Sequence, residues 1–473
     1  MPGEPSEFEF FCRVAEAQRR LDAGYAHLPP SPEPVLNGAA AAILAEAAER
    51  MHDNYPYAHP LYAGQMLKPP HPIARAAYTL AMSVNPNNHA LDGGRASSAM
   101  EHEAVAELAR MFGWVGGPER RTPYLGHLSS SGTFANLEAL WVADQVAPGG
   151  MVVASDQAHY THPRICSVLG LPFRTIASDA SGRMDMAALE RTLDAEPVGT
   201  VVATLGTTAV GAVDPLHAIL RLQSRYGFRV HVDAAYGGFF MLARTLEGES
   251  RAAYDSVGGA DSLVVDPHKH GLQPYGCGAV LFRDAGVGRF YRHDSPYTYF
   301  SSKELHLGEV SLECSRAGAA AVALWATQRL LPYTVGGEFA VGLESCREAA
   351  LALHARLAGD ARFVLPLAPP QLDIVFWAVR GEGVGESSRR AQAIFDESAR
   401  RDLHLALARL PVRFFPAGLW ADAAEEGGRG ESSVTCLRSV QMKPEHLAWG
   451  MEIWARLDAA ATAALHFPPH AAG

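Results

Sequence analysis

The sequence predicts an α/β protein: a large domain built on a mainly parallel sheet covered by helices, then a smaller C-terminal α+β domain. Three observations predict it. Short strand-like apolar runs alternate with helical stretches from Leu125 onward. Four polar motifs sit at the ends of such runs, where open parallel sheets bind their ligands. The composition is that of a folded globular chain, with 473 residues, 48% hydrophobic and 19% charged.

Two short helical patterns open the chain, Phe8–Leu21 and Leu36–Met51, on either side of the stiff Pro29-Pro-Ser-Pro-Glu-Pro34 link. Tyr55-Pro-Tyr-Ala-His-Pro-Leu-Tyr62 reads as an extended arm or a packing strap. Residues 1–85 are therefore expected to form a helical segment with this arm. Residues 86–335 would be the large domain, with strands at Met151–Ala154, Thr200–Leu205, Arg229–Val232, Ser262–Val265 and Ala279–Phe282. Helices such as Asn136–Val146 lie between several of these strands, and the apolar helix Ala317–Leu331 leads out of the domain. The small domain, 336–473, carries a helix to about Leu357, strands near Asp373–Val379 and Ser433–Ser439, and helices near Arg389–Asp402 and Pro444–Ala463. The Gly/Glu-rich stretch Ala423–Glu431 reads as a surface loop.

Charge and cysteine usage narrow the class of function. With 40 basic against 51 acidic residues the net charge is −11, which argues against a general nucleic-acid binder but leaves local phosphate pockets open. The six cysteines show no C-x-x-C spacing, so neither a metal site nor a disulfide framework is expected, and a reducing compartment is. The acidic amino terminus lacks a signal-peptide pattern, and Ala39–Ala48 and Ala317–Ala326 fall short of the about 20 apolar residues that cross a bilayer. The expected location is cytoplasmic, with no membrane partner.

Four motifs carry chemistry when read together. Ser129-Ser-Ser-Gly-Thr-Phe-Ala-Asn136 is small and hydroxyl-rich before a helix, either a phosphate cup or simply a cap. His231-Val-Asp-Ala-Ala-Tyr236 puts Asp233 after a strand, able to keep a ring nitrogen protonated or to cap the next helix. Val264-Val-Asp-Pro-His-Lys-His-Gly271 sets Lys269 at another strand end, where a lysine can form a Schiff base. Ser155-Asp-Gln-Ala-His159 ends a strand with an imidazole that can stack on an aromatic ring. Each alone has a purely structural explanation. Their joint order at successive strand ends is what pyridoxal 5′-phosphate (PLP) requires of a protein.

The same residues resemble the group II PLP-dependent amino-acid decarboxylases, which include aromatic-amino-acid, glutamate and archaeal tyrosine/aspartate decarboxylases. The resemblance runs from about Tyr55 to Leu457 and rests on Ser155–His159, Thr204-Leu-Gly-Thr-Thr208, His231–Tyr236 and Asp266-Pro-His-Lys269. Asp233 and Lys269 stand 36 positions apart, a length typical of the family. Ser295-Pro-Tyr, Ser315-Arg-Ala-Gly-Ala-Ala and Asp266, where Asn is frequent, look closest to the archaeal type, whereas Phe134 stands where Glu is usual.

The resemblance implies a fold-type I, aminotransferase-like architecture and an obligate homodimer with active sites at the subunit interface. It makes Lys269 the internal aldimine, Asp233 the pyridinium partner, His159 the ring stacker and Ala235 the contact on the other ring face. Ser131, Gly132 and Thr133 would cradle phosphate, with His268 and Asp266 beside them and Thr208 near the ring oxygen or the carboxylate.

The implied activity is decarboxylation of an L-amino acid to CO₂ and an amine. Tyr297, Tyr299 and His306 are the candidate proton donors, each equally readable as interface packing. Tyr55, Tyr57 and Tyr62 suit an aromatic substrate; His59, Asn87, Asn88, His89 and Arg95 suit a polar or acidic one. The balance favours an aromatic L-amino acid, with Tyr62, Asn88, His89 and Arg95 as the substrate-contact candidates. The competing readings are an oxidative, aldehyde-forming enzyme or another PLP lyase on the same scaffold, and a non-catalytic relative that only binds.

Overall fold

A computed structural model describes residues 7–30, 36–115, 124–292, 310–420, 422 and 433–466. Tyr297, Tyr299, His306, Ser295-Pro-Tyr and the stretch Ala423–Glu431 lie outside the described residues.

Helices α1 (Glu7–Ala23) and α2 (Gly38–Met51) come first, the second capped by Asn37, whose side chain accepts from the amides of Ala39 and Ala40. Neither buries a residue. Next come α3 (Pro72–Met82) and α4 (Arg95–Met111), which the sequence reading leaves unassigned. α3 starts with Pro72 in its first turn, where the missing N–H costs nothing.

The large sheet contains β1 (Leu125–Ser129), β2 (Met151–Ser155), β3 (Phe173–Ile176), β4 (Val198–Thr204), β5 (Arg229–Asp233), β6 (Ser262–Val265) and β7 (Gly278–Phe282). Interleaved with these are α5 (Gly132–Val146), α6 (Thr161–Leu169), α7 (Met186–Ala195), α8 (Leu216–Tyr226) and α9 (Gly248–Asp255). The strand order is β1-β7-β6-β5-β4-β2-β3, parallel from β6 through β3, with β7 antiparallel to both its neighbours. Val201, Val202, Val230, Val232, Leu263 and Val265 are fully buried, as both faces of a parallel sheet demand. The unexpected strands have local reasons. Gly126 and His127 interrupt the apolar run of β1, and β3 exposes Arg174 and Thr175 at the sheet edge.

One register fact builds the site. Thr204 pairs with Asp233, and Asp233 pairs with Val264, so the carboxyl ends of β4, β5 and β6 lie level. Their following loops therefore open on one edge of the sheet.

The chain leaves through α10 (Gly318–Leu330), which packs on α3 and α4, and α11 (Glu338–Ala358). The second sheet, in order β10-β11-β9-β8, is antiparallel: β8 (Phe363–Val364), β9 (Ile374–Val379), β10 (Ala406–Pro411) and β11 (Ser433–Val440). α12 (Val384–Ala399) and α13 (His446–His466) cover it around a core that includes Trp377 and Leu437. The Tyr55–Tyr62 arm ends as a strap on this sheet. His404 donates its amide to the Leu61 carbonyl at 3.0 Å, Ala63 to that of His404 at 2.9 Å, and Val440 to that of Ala63 at 2.7 Å. Among the described residues no helix is long and apolar enough to cross a membrane.

Candidate active site

Asp233 is the last residue of β5 and is 4% exposed. Its Oδ2 lies 2.9 Å from Nε2 of His162, near the start of α6, and accepts from the side-chain Nδ2 of Asn136, one turn into α5, at 3.4 Å. Its Oδ1 accepts from the Ala235 amide at 3.1 Å. Burial pushes the carboxyl up, but the hydrogen bond and charge of His162, the Ala235 amide and the nearby Lys269 together hold it well below the usual carboxylate range. Asp233 is therefore an anion at any ordinary pH. Nε2 of His231, two residues earlier, hydrogen-bonds the side-chain Oδ1 of Asn136 at 2.8 Å, so α5 is fixed to β5 through side chains.

Lys269 follows β6 in a tight turn closed by its own amide donating to the Asp266 carbonyl at 2.9 Å. The Asp266 amide in turn donates to the Ala235 carbonyl at 3.2 Å, which couples this turn to the one after Asp233. The Lys269 ammonium forms a 2.9 Å ion pair with Asp266 Oδ2. It keeps a fifth of its side-chain surface open, as an amine that must meet a ligand requires. Asp233 and Lys269 thus share one electrostatic environment at the level strand ends.

His159 stands in the loop after β2, its Nδ1 hydrogen-bonded to Thr161 Oγ1. Burial pushes its imidazole down, outweighing the pull of Asp233, and Lys269 and His162 push the same way. A neutral, flat ring results. Ala235, in the turn after β5, is a buried residue that offers no more than a methyl group.

The start of α5 provides the third part. Ser131 caps it by accepting from the Phe134 amide at 3.2 Å. Gly132 is the first helical residue, and a Cβ there would come 2.6 and 2.7 Å from the two Asp266 carboxylate oxygens. Thr133 is exposed beside it. His268 is 9% exposed, with Nδ1 2.7 Å from the Cys277 carbonyl and Nε2 3.6 Å from Asp266. A polar cradle around the buried Gly132 at a helix start fits a phosphate. A buried anion and a reachable amine one strand apart fit the ring and the aldehyde of PLP.

Thr208 is exposed in the loop after β4, and its carbonyl accepts from Nη2 of Arg438 at 2.6 Å. Arg438 on β11 is 4% exposed and also donates to the carbonyls of Ala209 and Gly64, at 2.8 and 3.1 Å. It ties the strap, the Thr208 loop and the small sheet together.

Among the described residues, none of the four substrate-contact candidates hydrogen-bonds to Lys269 or pairs with it. Tyr62 is buried against His404, under the Lys443 ammonium at 5.3 Å from its ring centre. Asn88 is wholly buried, its amide donating to Glu101 Oε2 at 2.7 Å, and Glu101 in turn pairs with Arg316 at 2.6 Å. His89 donates its amide to the Asn87 side chain at 3.2 Å, and Arg95 is exposed at the start of α4.

Four residues that contact the candidate site escape sequence reasoning: His162, Asn136, Arg438 and Tyr275. Asn136 sits four residues beyond Gly132, the one available signal. Tyr275 packs its ring 4.9 Å from that of His268 and donates its hydroxyl to the Met66 carbonyl at 3.2 Å.

Comparison with known proteins shows the family and the fold. Residues 59–379 match the family model of the pyridoxal-dependent decarboxylase conserved domain. The L-tyrosine decarboxylase of Enterococcus faecium is 26% identical over 81% of each chain. The probable L-tyrosine/L-aspartate decarboxylase of Methanothrix thermoacetophila is 31% identical over 54% of this chain and 63% of its own. The cysteine sulfinic acid decarboxylase of Mus musculus is 29% identical over 71% of each. Among solved structures, Oryza sativa TDC with PLP and tryptamine superposes with a TM-score of 0.77 at 19% identity, over 98% of this chain and 99% of that one. Mouse CSAD in apo form gives 0.74 at 22%, over 94% and 92%. At those identities the two structures speak to the fold alone.

Proposed function

The chain belongs to the pyridoxal-dependent decarboxylases, and from that premise we propose that it removes the α-carboxylate of an aromatic L-amino acid, with Lys269 as the amine that anchors the cofactor. The observation that carries this reading is the pairing of a buried, ionised Asp233 with a reachable Lys269 at the level ends of β5 and β6.

When bound, PLP supplies an electron sink for the electron pair left behind as CO₂ departs. The chain's own residues do the rest. Asp233, kept anionic by His162, would hold the proton on the ring nitrogen. His159 would offer its neutral ring to one face, and Ala235 would leave room for close approach on the other. Ser131, Gly132 and Thr133 would take the phosphate at the start of α5, fixing the ring so that the scissile bond can be aligned. Asp266 would stabilise the Lys269 ammonium until the amine is needed.

The aromatic preference has three supports. Tyr55, Tyr57 and Tyr62 form one ring cluster with His404. The cations on that side, Lys68, Arg438 and Lys443, all donate to backbone carbonyls. The L-tyrosine decarboxylase of Enterococcus faecium points the same way. A homodimer belongs to the same reading, supported by Phe8, Phe11, Ile43 and Leu44, which α1 and α2 leave exposed. So does a cytoplasmic location, in keeping with six unpaired thiols.

The test is a panel of common L-amino acids with purified, PLP-loaded enzyme, measuring CO₂, amine, aldehyde and peroxide. Equal amounts of CO₂ and amine from tyrosine, tryptophan or dopa are expected. Turnover confined to acidic substrates, or aldehyde and peroxide in place of amine, would overturn the assignment.

A further inference from the structure

The phosphate cradle has an unexpected charge. Asp266 is 3% exposed, its Oδ2 is paired with Lys269, and its Oδ1 has no hydrogen-bond partner. Both oxygens lie over the first residue of α5, as the 2.6 and 2.7 Å approach to a Cβ at Gly132 measures. A second carboxylate touches the same loop: Glu313 Oε2 accepts from the Ser130 amide at 2.9 Å. A phosphate entering here meets a buried carboxylate with an unused oxygen.

The groups facing Asp266 cannot neutralise both anions. They are Lys269, His268, His159, Tyr275 and Cys277. Burial pushes both imidazoles down and both the phenol and the thiol up, so these four are neutral near pH 7. In neutral His268 the Nδ1 proton goes to the Cys277 carbonyl, 2.7 Å away, which leaves a lone pair on Nε2 toward Asp266. Among the described residues Lys269 is the one cation in direct contact, and its amine is the group that anchors the cofactor.

We propose that cofactor binding takes up one proton from solvent, held between Asp266 and the phosphate, so that a carboxyl O–H···O–P hydrogen bond replaces what would be a repulsion of two anions. This rests on the PLP reading and deepens it. Asp266 becomes a specificity residue for the protonation state of the phosphate, and cofactor retention weakens as pH rises.

The experiment measures the dissociation constant of PLP by equilibrium dialysis between pH 6 and 9 for the wild type and Asp266→Asn. Steps common to both proteins cancel in the ratio of the two constants. Because the phosphate loses its second proton near pH 6, the ratio of wild type to variant is expected to rise by up to about tenfold per pH unit above that point. Loss of the Lys269 ion pair alone would move the ratio the other way, because that pair handicaps only the wild type, and only while the amine is charged. Asp266→Ser, which also removes the charge, should follow Asp266→Asn. A ratio that is flat or falls with pH would overturn the proposal while leaving the cofactor assignment intact. No PLP binding by the wild type at any pH would overturn that assignment, and the proposal with it.

Discussion

Nε2 of His162 lies 2.9 Å from Oδ2 of Asp233, with the histidine side chain fully buried and the aspartate 6% exposed. His162 Nδ1 has no hydrogen-bond partner, so the ring is held through Nε2, whose N–H donates to the carboxylate. A hydrogen bond to a charged group is worth about 1.5–3 kcal/mol, and here it works against the burial that would protonate Asp233. His162→Gln should therefore lower kcat by about ten- to a hundredfold. Asp233→Asn should lower it by on the order of 10²–10⁴, with PLP also held more weakly. Steady-state kinetics beside an absorbance measurement of bound PLP check both. A His162→Gln enzyme at full rate would refute this support role.

The first turn of α5 leaves no room beside Asp266. Gly132→Ala introduces a methyl group 2.6 Å from a buried carboxylate oxygen, so either the Asp266–Lys269 pair or the helix start must shift. Elsewhere in a helix Gly→Ala usually stabilises, by about 0.5–1 kcal/mol. Here PLP affinity should drop at least tenfold, which fluorescence titration of the apoprotein would measure.

Arg438 ties β11 to two other segments through three backbone carbonyls, that of Gly64 in the strap and those of Thr208 and Ala209 in the loop after β4. Removing it leaves carbonyls without a donor, each worth about 1–3 kcal/mol when buried. Arg438→Met should lower the melting temperature by several degrees and raise KM as the Thr208 loop loosens. Arg438→Lys keeps the charge but cannot span three acceptors, and it should fall between the two. Thermal melts and substrate titrations distinguish these outcomes.

Asp214 gives the pH dependence of stability a definite sign. It is fully buried between the Thr204 and Met184 amides, and burial pushes its carboxyl up to about 7. The folded chain then keeps a proton that the unfolded chain loses above about pH 4. Its contribution is complete at acid pH, declines as pH rises through about 7 and is flat beyond. Relative to Asp214→Asn, the wild type should lose stability between pH 4 and 7, by on the order of a few kcal/mol. Urea melts across that range measure the difference.

Much of this architecture is legible in the sequence. Val201–Ala203 and Leu263–Val265 are continuous apolar runs of the kind a two-sided parallel sheet buries, and the motifs that end β5 and β6 mark Asp233 and Lys269. Other parts are hidden for physical reasons. His162 and Asn136 act through tertiary contacts with a residue 71 and 97 positions away, and no local pattern encodes that. β10 reads Ala-Leu-Ala-Arg-Leu-Pro, partly exposed beside β11 and without alternation. Asn88 reads as a substrate-contact candidate, yet it is buried and bonded to Glu101, which Arg316 reaches from 215 positions further along the chain.

The most direct measurement is borohydride reduction of the PLP-loaded protein followed by peptide mass spectrometry. A single phosphopyridoxyl group on the peptide bearing Lys269, absent in Lys269→Ala, is the expected result. A label on any other lysine, or none on a protein that decarboxylates, would contradict the assignment of Lys269 as the anchoring amine.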